Sequence, residues 1–239
     1  MLVLALAPGA AHAQRCDASY QPSGQPLEQT KPLNIGQLKR QVMDYVCSGD
    51  YDRDLAKVLS EARAHVEQRA GAVQKPALVL DIDETSLSNW RQIRANDFGY
   101  IAGGPCDLAR RAGCGQRSWE LSAGAKAIAP TLELFNAAKA KGVAVFFLTG
   151  RYGDRQERVA TERNLRKAGY QGWARLIMRD AQSKDLFADV YKSQQRTKIE
   201  AEGYTIIANV GDQDSDLKGG HAEKTFRLPN PFYFLPSKP

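Results

Sequence analysis

Lys75-Pro-Ala-Leu-Val-Leu-Asp-Ile-Asp-Glu-Thr85 is the stretch on which the fold turns. From Ala77 to Ile82 it is a near-continuous apolar run, which marks a strand buried on both faces, as in a parallel sheet. Working outward, similar runs appear at Val143 to Leu148, more weakly at Leu176-Ile-Met178, and at Tyr204 to Val210. Helical spacing fills the gaps at about 130–141, 154–168 and 193–202, and Gly142, Gly169 and Gly203 follow these segments where a helix C′ residue belongs. Strands alternating with helices imply right-handed crossovers. The expected fold is α/β, a Rossmann-like three-layer sandwich around a central parallel sheet. Two more helices are expected ahead of it, at 36–47 and 52–70, the second spaced by Leu55, Val58, Leu59, Ala62 and Val66 and stopped by Gly71.

Residues 86–125 break the alternation. They show no second strand and carry Gly99, Gly103, Gly104, Gly113 and Gly115, two cysteines and several aromatics. An insertion just beyond a strand's C-terminal end overhangs the ligand site in such folds, so this stretch reads as a small cap. Ligands of open α/β sheets bind beyond the carboxyl ends of the strands. Each apolar run delivers polar residues there: Asp81-Ile-Asp83-Glu-Thr85, Thr149-Gly-Arg151, and Gly211-Asp212-Gln-Asp214-Ser-Asp216, with Lys192-Ser193 just ahead of the last strand. Five aspartates at one edge repel one another without a compensating cation. A hard divalent ion with oxygen ligands, most simply Mg²⁺, resolves this. Each motif alone is short. Their joint occurrence, in order and at strand ends, carries the inference.

Composition narrows the classes. The chain has 239 residues, 43% hydrophobic and 25% charged, which excludes a disordered chain, a collagen and a multi-span membrane protein. The net charge is +6, from 33 Lys+Arg against 27 Asp+Glu. The basic residues are dispersed, so they describe a generally basic surface and not a nucleic-acid stripe. Met1 to Ala7 is apolar and Ala11-His12-Ala13 fits a cleavage site, so residues 1–13 read as an export signal whose start lies upstream. The run is too short to anchor in a membrane, and the residues before Cys16 do not suit a lipidated cysteine. Residues 14–35 then form an extended arm, and 36–239 a domain interrupted by the cap at about 86–125. A periplasmic or secreted location follows. Cys16, Cys47, Cys106 and Cys114 agree with it. Four cysteines allow three pairings; a local Cys106–Cys114 staple, leaving Cys16–Cys47, is plausible from their spacing. Zinc and Cys–His catalysis are poorly supported, since the histidines are His12, His65 and His221.

The motif set resembles the haloacid dehalogenase superfamily, and within it the subfamily IIIB acid phosphatases, which include bacterial exported enzymes and plant vegetative storage proteins. The resemblance is carried by Val79-Leu-Asp-Ile-Asp-Glu-Thr-Ser-Leu-Ser-Asn89, Phe146-Phe-Leu-Thr-Gly-Arg151, Tyr191-Lys-Ser193 with Arg196, Gly203-Tyr204, Asn209-Val-Gly-Asp-Gln-Asp-Ser-Asp-Leu217 and Phe226-Arg-Leu-Pro-Asn-Pro231. It runs from about residue 35 to the C-terminus. Asp214 departs from the pattern, because that position is often aromatic in relatives, and the Cys106–Cys114 stretch looks local to this chain's branch.

The resemblance implies Mg²⁺-dependent hydrolysis of small phosphomonoesters through an aspartyl-phosphate. Asp81 would be the nucleophile. Asp83 would protonate the leaving oxygen and then activate water. Alternation along an extended segment puts both side chains on one face. Thr149, with Gly150 and Arg151, would bind the phosphoryl oxygens, and Lys192 would neutralise their charge. Asp81, the backbone carbonyl of Asp83, Asp212 and Asp216 would hold Mg²⁺. Lys192 is placed at a strand-to-helix junction with Ser193 as helix N-cap, and is preferred to its rival Lys198, which falls within the helix. Trp90, Phe98, Tyr100, Trp119 and Tyr152 lie in or beside the cap; Trp90 and Tyr100 are candidate substrate contacts, while a small cap core explains such aromatics equally well. The expected partner is a small phosphomonoester, with no nucleic-acid polymer; a homodimer is left open. Two alternatives stand beside the hydrolase: a non-catalytic storage or phosphate-ligand-binding protein, and a phosphotransferase to alcohols.

Overall fold

The computed structural model describes residue 16 and residues 19–23, 32–109 and 113–236. The expected export signal and most of the extended arm lie outside these residues. The chain divides into two compact units, residues 1–56 and 57–239.

In the first unit, α1 (Ile35–Cys47) starts at Asn34, whose side chain accepts a hydrogen bond from the Gln37 amide. Helix α2 (Asp50–Arg69) follows at once and spans the residue boundary between the two units. Cys16 is disulfide-bonded to Cys47, and in the second unit Cys106 to Cys114. Both fit an oxidising compartment. Among the described residues no helix is long and apolar enough to cross a membrane.

The second unit is built on five parallel strands: β1 (Pro76–Leu80), β4 (Ala144–Tyr152), β5 (Arg175–Arg179), β6 (Thr205–Gly211) and β7 (Thr225–Arg227), in the order β5-β4-β1-β6-β7. The four apolar runs supply the first four of these. β7 is three residues long and alternates exposed and buried positions, too little for a pattern to register. Central position explains the composition of β1: Ala77 to Leu80 are all almost fully buried. Helices α5 (Ala129–Ala140), α6 (Arg155–Lys167) and α7 (Ala188–Ala201) form the crossovers. Asp154 caps α6 by accepting from the Glu157 amide at 2.8 Å. Gly142, Gly169 and Gly203 follow the three helices with φ of 73°, 102° and 85°, a backbone region where a Cβ is costly.

Two expectations need correction. Residues 86–125 do contain a strand: β2 (Leu87–Ser88) pairs antiparallel with β3 (Lys126–Ala127), closing the neck of the insertion. Two residues per strand carry no periodicity to read. Between them lie α3 (Trp90–Ala95) and α4 (Gln116–Ser122). Second, α7 begins at Ala188, not at 193, so Lys192 and Ser193 lie inside the helix. Asp189 in the first turn is the favourable acidic residue that marks this earlier start. Ser193 caps nothing; its hydroxyl donates to the Gly219 carbonyl at 2.9 Å.

Candidate active site

The C-terminal ends of β1, β4 and β6 open onto one cavity of about 780 Å³. Its floor comes from the loop after β1. The amides of Ser86 and Leu87 donate back to the Ile82 carbonyl, and Glu84 takes a left-handed φ of 52°. A non-glycine residue held there is strained, a feature that clusters at functional sites. The loop turns Asp81 and Asp83 into the cavity.

The two aspartates meet different environments. Asp81, Asp212 and Asp216 are all buried and each offers an oxygen within 4.8 Å of the others. Gly211 makes this approach possible, because a Cβ there would lie 2.2 Å from that of Asp216. Lys192 Nζ reaches Asp81 Oδ1 at 2.5 Å and also donates to Asp216 Oδ1. Burial drives the Asp81 carboxyl well above its ordinary value; Lys192 opposes this, and Asp216, Asp212 and Asp83 add to it. Burial, then Asp216, pushes Asp212 to about 7. Lys192 is held charged by Asp216 and Asp81 despite its burial.

Asp83 faces Arg151 instead. The Arg151 Nη2 donates to Asp83 Oδ1 at 2.6 Å and its Nε to Oδ2 at 3.0 Å, while Asn89 Nδ2 donates to Oδ1 at 2.8 Å. Burial alone would raise Asp83, but Arg151 and Asn89 hold it below the ordinary carboxylate range. Arg151, expected as a phosphate ligand, thus has its guanidinium committed to Asp83, with Glu120 a further 3.9 Å partner. Thr149 is fully buried and its Oγ1 accepts from the Arg151 amide at 3.1 Å. Gly150 lines the cavity.

Four charged or aromatic candidates lie elsewhere. The Asp214 side chain is half-exposed and pairs with Arg227 and Lys218, away from the three buried aspartates. Lys198 is exposed in the last turn of α7. Trp90 is buried, its ring 6.2 Å from Phe98 and 5.4 Å from Phe232, and it serves the cap's packing and not the cavity lining. Tyr100 does line the cavity and is 78% exposed. Trp119 is buried too, donating from Nε1 to Asn89 Oδ1 at 2.7 Å.

Two residues of the site stand in the quoted motifs without a role that the sequence assigns. Glu84 accepts from the Asn89 amide at 2.6 Å and from the Tyr233 hydroxyl at 3.0 Å, and burial, then Asp83, pushes it to about 7. Arg196 is fully buried and donates to the carbonyls of Asp216, Lys218 and Gly220, pinning the loop that carries Asp216.

The donor set suits a hard divalent cation. It is all oxygen and buried, and three carboxylates face one ammonium, Lys192, while Arg151 neutralises Asp83.

The chain belongs to the HAD superfamily, subfamily IIIB (Acid phosphatase), whose family model matches residues 27–236. It is 36% identical over 164 residues to the stem 28 kDa glycoprotein of Glycine max, covering 67% of this chain and 61% of that protein. It is 30% identical over 196 residues to acid phosphatase 1 of Solanum lycopersicum, covering 81% of this chain and 73% of that protein. This chain therefore spans less than two thirds of the soybean protein's length and more of the tomato one. The class C acid phosphatase from Bacillus anthracis shares the fold, with a TM-score of 0.64, 20% identity, and coverage of 82% of this chain and 86% of that one.

Proposed function

We propose that the chain is an acid phosphatase that hydrolyses small phosphomonoesters through a phosphoryl group carried on Asp81, with Mg²⁺ held by Asp81, the Asp83 carbonyl, Asp212 and Asp216. The observation that carries this reading is the pairing of Asp81 with Lys192 at 2.5 Å while Asp83, two residues on, is tied to Arg151 in the same cavity. One strand end thus offers two carboxylates with opposite environments, the condition for separate nucleophile and acid–base roles.

In the first step the Asp81 carboxylate attacks phosphorus and the bond to the leaving oxygen breaks. Asp83 supplies the proton that this oxygen needs. Arg151 keeps Asp83 ionised at rest; an incoming phosphate raises its proton affinity by like-charge proximity, so that Asp83 takes up a proton from solvent or from the monoester's acidic oxygen before passing it to the leaving oxygen. In the second step ionised Asp83 takes a proton from water, which attacks the phosphoryl group and releases phosphate and free Asp81. The Lys192 ammonium neutralises phosphoryl charge throughout. Thr149, the Gly150 backbone and the fixed Asp83–Arg151 unit shape the pocket for the oxygens. The bound cation would add Lewis-acid stabilisation of the same charge.

A working nucleophile favours catalysis over a purely storage role, and Asp81 is present and buried among charged partners. The two disulfides support an exported, periplasmic or secreted, protein. The test is phosphate release from a panel of monoesters by metal-stripped protein, with and without added Mg²⁺. Release that depends on Mg²⁺ and is restored by it is expected. Full turnover in protein shown metal-free by elemental analysis would contradict the metal assignment. Product analysis with an added alcohol separates hydrolysis from transfer.

A further inference from the structure

The Leu228-Pro-Asn-Pro-Phe-Tyr233 segment after β7 has no part in the steps above, yet it runs into the site. The Leu228 amide donates to the Gly211 carbonyl at 2.9 Å, so the chain leaves the sheet beside the Asp212 loop. The Asn230 Oδ1 accepts from the Phe232 amide at 2.8 Å, a side-chain turn that fixes the orientation of its own amide group. Its Nδ2 then donates to Asp212 Oδ2 at 2.7 Å. The Phe232 ring packs 5.4 Å from Trp90, and the Tyr233 hydroxyl bonds Glu84, so the segment is held at both loops.

Asp212 has about four acceptor positions as a carboxylate. Gln213 Nε2, at 2.8 Å, and Asn230 Nδ2 fill both on Oδ2, and the Thr85 hydroxyl fills one on Oδ1 at 3.0 Å. One position, on Oδ1, is left. We propose that Asn230 is a positioning residue: it turns the single open lone pair of Asp212 toward the Asp81–Asp216 cluster and so sets the affinity of the site for a divalent cation. This rests on the metal reading above. It assigns a task to a C-terminal segment that has no role in the steps above.

The test is the Mg²⁺ dissociation constant of the metal-free full chain, by titration calorimetry, with the melting temperature measured beside it. Asn230→Ala is expected to weaken Mg²⁺ binding about 10–100-fold, the usual cost of losing a partner that orients a ligand. Leu228→Ala removes a fully buried side chain from the same segment. It is expected to lower the melting temperature at least as much and to leave the Mg²⁺ constant within about twofold. If Asn230→Ala does not fold, Asn230→Ser keeps a short donor and is expected to bind between the two. A folded Asn230 variant with wild-type affinity overturns the proposal, as does Leu228→Ala losing Mg²⁺ equally. Wild type without saturable Mg²⁺ binding overturns the metal reading itself, and this proposal with it.

Discussion

The strand ends and the cap meet at the same cavity but are built on different terms. Around the strand ends, charged groups are buried with polar partners: Lys192 pairs with Asp81 and Asp216 and Arg151 with Asp83, while Asp212 and Glu84 accept hydrogen bonds from neutral donors. In the cap, the largest buried side chains are aromatic, Trp90 and Trp119, while Tyr100 is exposed and lines the cavity. The difference teaches where the chemistry and the selectivity reside. Paired buried charge is expensive to keep unless it works on a substrate, whereas buried indoles are what any small insertion needs to hold its shape.

If that division holds, the largest effects come from the floor. Asp81→Asn preserves shape and removes the nucleophile, and is expected to cost at least about a thousandfold in kcat with an unchanged circular dichroism spectrum. Retention of a tenth of wild-type turnover would reject Asp81 as the attacking group. Next comes the lysine. Lys192→Met is expected to lower kcat about a hundredfold or more, comparable to losing one strong oxyanion contact, and Lys198→Met by less than about threefold. Steady-state kinetics on the two variants would break the comparison if the exposed lysine proved the crippled one.

The cap variants should separate stability from turnover. Trp90→Ala empties a packed site between Phe98 and Phe232, and is expected to cost about 3–5 kcal/mol in urea unfolding. Tyr100→Ala sits at the opening and should change stability by no more than about 0.5 kcal/mol while raising KM for aryl substrates more than for alkyl ones. Equal KM changes across both substrate types would leave Tyr100 without a role in selectivity.

Legibility in the sequence follows the same division. The sheet was readable because β1, β4 and β6 are buried on both faces and so appear as apolar runs, with motif residues at their ends. Short elements were not: β2 and β3 have two residues each and β7 three. The start of α7 is not legible because Ala188 to Tyr191 offers mixed polarity and Ser193 imitates a cap. Side-chain partners were legible only where charge demanded one. Nothing in Thr149-Gly-Arg151 tells that the guanidinium turns to Asp83, and nothing in the Asp214 position tells that Arg227 and Lys218 draw it outward. The aromatics of the cap look alike as letters; only three-dimensional burial distinguishes Trp90 from Tyr100.

The central claim is that the phosphoryl group passes through Asp81. It is tested most directly by mixing the Mg²⁺-loaded enzyme with a fast-reacting aryl phosphate, quenching in acid within the first turnovers, and weighing the peptides. The account predicts one added phosphoryl group on the peptide containing Asp81, labile to hydroxylamine and absent in Asp81→Asn. A phosphoryl group on another residue, or none during demonstrated single-turnover release with a rapid burst of the aryl alcohol, would contradict it.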